Sequence, residues 1–107
     1  MPVYRVFIEP EFEVNLSKLP RFELERIKKI RDQLKENPYA GKPLGYDWFR
    51  EKRLNGNRLY YLVYESLKAV LVVTMSDKKA QQLTIEAIKL ALNKYRKEIE
   101  DALRSTL

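Results

Sequence analysis

The chain contains no cysteine and no histidine. Without cysteine there is no disulfide frame, no thiolate nucleophile and no Cys-type zinc site. Without histidine there is no Ser-His or Cys-His triad and no imidazole metal ligand. Catalysis by such a chain falls to Lys, Arg, Tyr, Asp, Glu, Ser or Thr. Glycine is scarce, at three residues, and none of them builds a phosphate loop of either familiar type. No apolar run approaches the roughly 18 residues that a membrane span needs. The opening Met1-Pro2-Val3-Tyr4-Arg5 is not followed by the apolar stretch of a signal peptide. The lack of thiols fits a reducing compartment, so the expected location is cytoplasmic.

What is present suits one globular domain spanning residues 1–107. Hydrophobic residues make up 45% and aromatics 11%, enough to build a core and too much for a disordered chain. Charged residues reach 34% and are rich in Lys and Glu, a composition that resembles thermophile proteins. The net charge of +6 is uneven. Residues 39–79 carry +4 of it, and the segments on either side carry +1 each. A local basic excess on a small domain is a candidate polyanion footprint, set against the plainer reading of a solvated face. Asp32 and Glu36 sit one helical turn apart, but Lys and Arg surround them, and no metal site is read there.

Val3-Tyr4-Arg5-Val6-Phe7-Ile8 is β-branched and aromatic and ends at Pro10, which predicts a strand. Phe12, Leu16 and Leu19 recur at helical spacing, and Leu24, Ile27, Ile30 and Leu34 mark a second helix that stops near Asn37, before Pro38. Residues 38–47 hold two Pro and two of the three Gly and are expected as a loop. Strands follow at about Trp48–Leu54 and Arg58–Glu65, joined by the tight turn Asn55-Gly56-Asn57. Ala69–Thr74 is apolar on both faces, as in a central strand. Ser76 or Asp77 is placed to cap one long last helix, about Lys79–Leu103, with Ile85, Ile88, Leu92, Tyr95, Ile99 and Leu103 on one stripe. The expected fold is α+β, in the order β-α-α-β-β-β-α, with a four-stranded, antiparallel-rich sheet laid on a helical hairpin.

The chemistry concentrates in the hairpin. Alternation puts Arg50 and Lys52 on one face of their strand and Glu51 and Arg53 on the other. On the next strand Arg58 and Tyr60 share a face, and Leu59, Tyr61 and Val63 make the better core face. Closure at Asn-Gly suggests that Arg50, Lys52, Arg58 and Tyr60 share one concave surface, with cations for phosphates and a ring on which a base stacks. The competing reading is an ordinary cross-strand ladder with Glu51 and Glu65. Lys78 and Lys79, at the last strand-to-helix junction, are placed to extend the basic surface.

The order of elements resembles the RelE/ParE superfamily of type II toxin–antitoxin toxins. So do Leu34…Asn37-Pro38-Tyr39…Gly41-Lys42-Pro43-Leu44, Arg50-Glu51-Lys52-Arg53 and Gly56-Asn57-Arg58-Leu59-Tyr60-Tyr61-Leu62-Val63-Tyr64. The likeness is nearest in flavour to archaeal RelE-like chains and covers about residues 3–95. It implies an mRNA endonuclease acting in the ribosomal A site, with no metal and no cofactor. In such enzymes the 2′-hydroxyl attacks the adjacent phosphate and the 5′-oxygen leaves. By the resemblance, Arg50 and Arg58 hold the scissile phosphate and Lys52 is the base. Lys79 stabilises the transition state or protonates the leaving group. Arg53, Tyr60 and Lys78 are expected to bind RNA. The implied partner is an acidic, RelB-like antitoxin that wraps the domain. Some RelE toxins place a catalytic Tyr where this chain has Leu83, Thr84 and Ile85. That departure keeps two alternatives open: a ParE-like toxin that inhibits by binding DNA gyrase, and a nucleic-acid-binding domain without toxicity.

Overall fold

A computed structural model of the protein describes residues 3–105. The elements are β1 (Arg5–Ile8), α1 (Pro10–Leu16), α2 (Arg21–Glu36), β2 (Lys42–Tyr46), β3 (Phe49–Leu54), β4 (Asn57–Tyr64), β5 (Ala69–Asp77), α3 (Gln81–Leu90) and α4 (Leu92–Ser105). One sheet runs in the order β1-β5-β4-β3-β2. Its pairs are antiparallel except β1 with β5, which run parallel. The α+β architecture and the order of the predicted elements are as the sequence implies.

Two local expectations need correction. The sheet has five strands rather than four, because part of the Pro/Gly stretch pairs as β2 against β3. Pro43 is tolerated there because β2 is an edge strand, and Gly45 takes a left-handed φ of 90° where the register slips between Pro43 and Tyr46. The single last helix is in fact two. Ala91 leaves helical geometry at φ −107° and ψ 14°, so α3 ends and α4 restarts one residue later. The apolar stripe nonetheless survives the break, since Ile85, Ile88 and Ile99 all reach the same core.

Both faces of the sheet are covered. On one face Phe12, Ile27, Ile30 and Leu34 of α1 and α2 pack on Leu54, Leu59, Tyr61, Val63, Val70 and Val72. On the other, Ile85, Ile88 and Ile99 of α3 and α4 pack on Phe49, Tyr60, Leu62, Leu71 and Val73. β5 supplies both layers, which explains its unbroken apolar run. β3 and β4 join through Asn55-Gly56, with Leu54 opposite Asn57 and Asn55 at φ 56°, a conformation asparagine tolerates. That closure sets the register of every side chain in the site. Arg53 faces Arg58, Lys52 faces Leu59, Glu51 faces Tyr60 and Arg50 faces Tyr61.

Candidate functional site

Cross-strand partners point to the same side of a sheet, so the register divides the basic residues of the hairpin between its two faces. Arg58 shares its face with Arg53, Glu51 and Tyr60. Arg50 and Lys52 belong to the face of Tyr61 and Leu59. The single concave surface of Arg50, Lys52, Arg58 and Tyr60 expected from the sequence is therefore not formed as a set. What forms is a cavity of about 480 Å³ at the sheet margin, where the chain enters β2 and α3 begins. Ala40, Gly41, Lys42, Glu51, Lys52, Arg53, Arg58, Lys78 and Gln81 line it. Five of these nine carry a positive charge and one a negative charge, so the hollow is built for an anion.

Arg58 is its buried cation, only 7% exposed. Its Nη1 donates to the Gly56 carbonyl at 3.1 Å. Its Nε lies 3.6 Å from Glu51 Oε2, close enough for charge attraction but without a hydrogen bond. Glu51 is itself buried, and its Oε1 accepts from Gln81 Nε2 at 2.9 Å. Lys52 is half-buried and lines the cavity, together with the exposed Arg53 and Lys78. Lys42 was not foreseen; it stands opposite Glu51 on β2. Gln81 was not foreseen either. The signal that finds Lys42 is parity once β2 is recognised as a strand.

Arg50 does something else. It is buried, and its Nε and Nη2 both donate to the Gly41 carbonyl, at 3.0 and 2.8 Å. Nη2 also donates to the Tyr39 carbonyl at 3.0 Å and Nη1 to the Asp47 carbonyl at 3.1 Å. Its guanidinium also lies over the Tyr39 ring. Arg50 thus ties residues 39–47 to β3 and lies outside the cavity lining. Tyr61 helps from the same face: its hydroxyl donates to the Pro38 carbonyl at 2.7 Å and accepts from the Gly41 N–H at 3.0 Å. Gly41 is required at this crossing, since a Cβ there would come within 2.4 Å of the Glu51 carbonyl oxygen. Tyr39 is held in turn by Glu65, whose carboxylate accepts a hydrogen bond from its hydroxyl and pushes the phenol pKa up to about 12. Lys68, then Tyr39 and Tyr4, hold the Glu65 carboxyl down at about 2.

Tyr60, expected as a stacking ring, is fully buried under α3 and α4. Its hydroxyl is bonded to Ser76 Oγ at 2.8 Å, and burial pushes its ionisation upward. No base can stack on it. Lys79 is exposed but outside the cavity lining, and Lys78 holds the place expected of it. The cap expected of Ser76 or Asp77 is not made: Asp77 accepts the Ala80 N–H at 2.9 Å in the turn before α3, whose N-cap, Ala80, has no side-chain cap. Where some RelE toxins carry tyrosine, Leu83 is 74% exposed and Ile85 enters the core.

This mixed sheet, with a helical hairpin on one face and two further helices on the other, matches the fold of solved RelE toxins. The chain superposes on a doubly arginine-to-alanine substituted Escherichia coli toxin RelE in the free state. Identity is 25%, over 83% of this chain and 97% of that one, with a TM-score of 0.68. It also superposes on the RelE–RelB complex of Pyrococcus horikoshii, at 24% identity over 71% and 96% of the two chains and a TM-score of 0.62. The RelBE2 toxin–antitoxin complex of Mycobacterium tuberculosis gives 23%, 73%, 94% and 0.61. No family model and no curated protein matches the sequence, so the likeness is one of structure.

Proposed function

We propose that this protein is the toxin of a type II toxin–antitoxin pair and that it cleaves mRNA on the ribosome. The observation that carries the reading is Arg58, a buried guanidinium whose Nε lacks a hydrogen bond, on the wall of a cavity with five cations to one carboxylate. A buried donor left short of acceptors is completed by an anion, and a phosphodiester supplies the oxygens. Arg58 and Arg53, cross-strand neighbours, hold the scissile phosphate. Lys52, which this step requires as the free amine, takes the proton of the 2′-hydroxyl as the 2′-oxygen bonds to phosphorus, and Lys42, Arg53, Arg58 and Lys78 remain as the cations of the lining. Lys78, which also lines the cavity, returns a proton to the 5′-oxygen as its bond to phosphorus breaks, and the exposed Lys79 follows it in the chain. The products are a 2′,3′-cyclic phosphate and a 5′-hydroxyl. Charge building on phosphorus is met by cations fixed before the reaction, the arrangement that lowers such barriers most. Arg50 serves this chemistry at one remove, by holding the Tyr39–Gly41 segment that forms one wall.

A RelB-like antitoxin is the proposed partner, since solved relatives are RelE–RelB complexes. An acidic chain that folds on binding would neutralise the cavity cations. The test is induction of the protein in a translating extract followed by mapping of mRNA ends, with and without ribosomes. Ribosome-dependent breaks bearing 2′,3′-cyclic ends are expected. In cells expressing the protein, growth arrest with intact mRNA and inhibited gyrase would favour the ParE-like reading, for which the missing tyrosine near Ile85 speaks. Intact mRNA without growth arrest would remove both.

A further inference from the structure

Glu51 is the one acidic residue among those lining the cavity, and it is 6% exposed. A buried carboxylate in a phosphate-binding hollow opposes the ligand, so its presence needs a reason. Its contacts supply one. Oε1 accepts the Gln81 amide hydrogen at 2.9 Å, which fixes the carboxylate to the first turn of α3. Oε2 stands 3.6 Å from Arg58 Nε on β4. The other hold on the Arg58 guanidinium is the Gly56 carbonyl, 3.1 Å from Nη1. The guanidinium is thus set between two acceptors of the protein, and the carboxylate also cancels part of the pull that five cations exert on RNA.

We infer that Glu51 is a positioning residue: it aims Arg58 into the cavity and holds RNA binding there weaker than the cations alone would make it. The inference rests on the nuclease reading above. Interactions that tighten ground-state binding without matching the transition state do not raise the rate, so aim is worth more here than affinity. Replacing the carboxylate by its neutral isostere strengthens the hold on RNA while letting Arg58 turn toward the unreacted phosphate. Affinity and rate then move in opposite directions, which neither loss of structure nor simple charge removal produces.

The experiment pairs two readouts on the full chain. Binding is measured with a single-stranded oligonucleotide carrying 2′-deoxy sugars, which binds without being cut. The cleavage rate is measured in single turnover on ribosome-bound mRNA. For Glu51→Gln the expected result is binding about 3- to 10-fold tighter and cleavage at least about 10-fold slower. Glu51→Asp keeps the charge but shortens the reach to Arg58 and Gln81, so binding stays near wild type while cleavage slows. Gln81→Ala loosens the anchor and slows cleavage by a smaller factor, a route that stays open should Glu51→Gln fail to fold. Glu51→Gln with both readouts unchanged, both falling together, or both rising together overturns the inference. Absence of cleavage by the wild-type protein overturns the nuclease reading and takes this inference with it. Wild-type cleavage with Glu51→Asp indistinguishable from wild type in both readouts overturns the inference alone.

Discussion

Arg50 and Arg58 sit on neighbouring strands and are nearly equally buried, at 9% and 7% exposure. Their surroundings differ in kind. Arg50 makes four hydrogen bonds, all to backbone carbonyls of residues 39–47. Arg58 makes one, to Gly56, and its Nε faces a carboxylate beyond hydrogen-bond reach. A buried charge must be solvated by the protein or by what the protein binds. Where the protein has done so completely, the arginine is a fastener. Where it has stopped short, the arginine keeps donors to spare, and the proposed function assigns them to a ligand. Residue type and burial do not separate these cases; the count of acceptors does.

The largest way to test that contrast is to remove each arginine in turn. Arg58→Ala is expected to lower the mRNA cleavage rate about 100- to 1000-fold, the usual effect of deleting one donor to a developing oxyanion. The far-ultraviolet spectrum should stay native, and cleavage near the wild-type rate would show that Arg58 is not at the reacting phosphate. Arg50→Ala is expected to destabilise the fold by about 2–4 kcal/mol, because three carbonyls lose a charged donor at once. Arg50→Lys should recover little of that loss in urea titrations, since an ammonium cannot reproduce the planar fork. An unchanged unfolding midpoint in Arg50→Ala would erase the distinction between the two arginines.

Smaller effects sharpen the same comparison. Gly41→Ala should cost about 1–3 kcal/mol, because the new methyl meets the Glu51 carbonyl and the Tyr61 hydroxyl at the point where Arg50 pins the chain. Salt should weaken RNA binding with a slope near −0.7 per phosphate contact on single strands. Arg58→Ala should flatten that slope by about one such contact, and Arg50→Ala should leave it alone. The smallest effect comes from acidity. Its source is a carboxyl away from both arginines. Burial first, and a hydrogen bond with Glu9 second, raise the Glu98 carboxyl to about 7. Its unfolded value is about 4.3, so the folded chain binds the extra proton in that window. The stabilisation is complete below the unfolded value and is lost as pH rises through about 7. The urea midpoint should fall between about pH 4.5 and 7 and level off above about 7, and Glu98→Gln should flatten the curve. A midpoint that rises with pH would reverse the assignment.

The main elements could be read from hydrophobic spacing because α2, β4 and β5 bury most of what their patterns offer. β2 was hidden because Pro43 and Gly45 are ordinary loop markers, and only an edge position makes them compatible with pairing. The break at Ala91 was hidden because the apolar stripe runs through it without a change of face. Tyr60 was misplaced by treating one face of β4 as the core face. Tyr60, Leu62 and Tyr64 are as apolar as Leu59, Tyr61 and Val63, a pattern that asks for helices on both sides. The site was half legible. Its basic residues stood out, and counting outward from Asn55-Gly56 pairs Arg58 with Arg53 rather than Arg50. The hydrogen bonds that turn Arg50 inward depend on the path of residues 39–41, which no local pattern announces.

The parallel pairing of β1 with β5 bears on when the molecule becomes competent during its own synthesis. Arg5 aligns with Ala69, so the first strand made waits for the last strand to emerge before the sheet can close. The cavity needs Lys78 and Gln81, which come later still. A nascent chain therefore carries every arginine of the hairpin long before it owns a working hollow, and that interval falls while it is still attached to the machine it is proposed to attack.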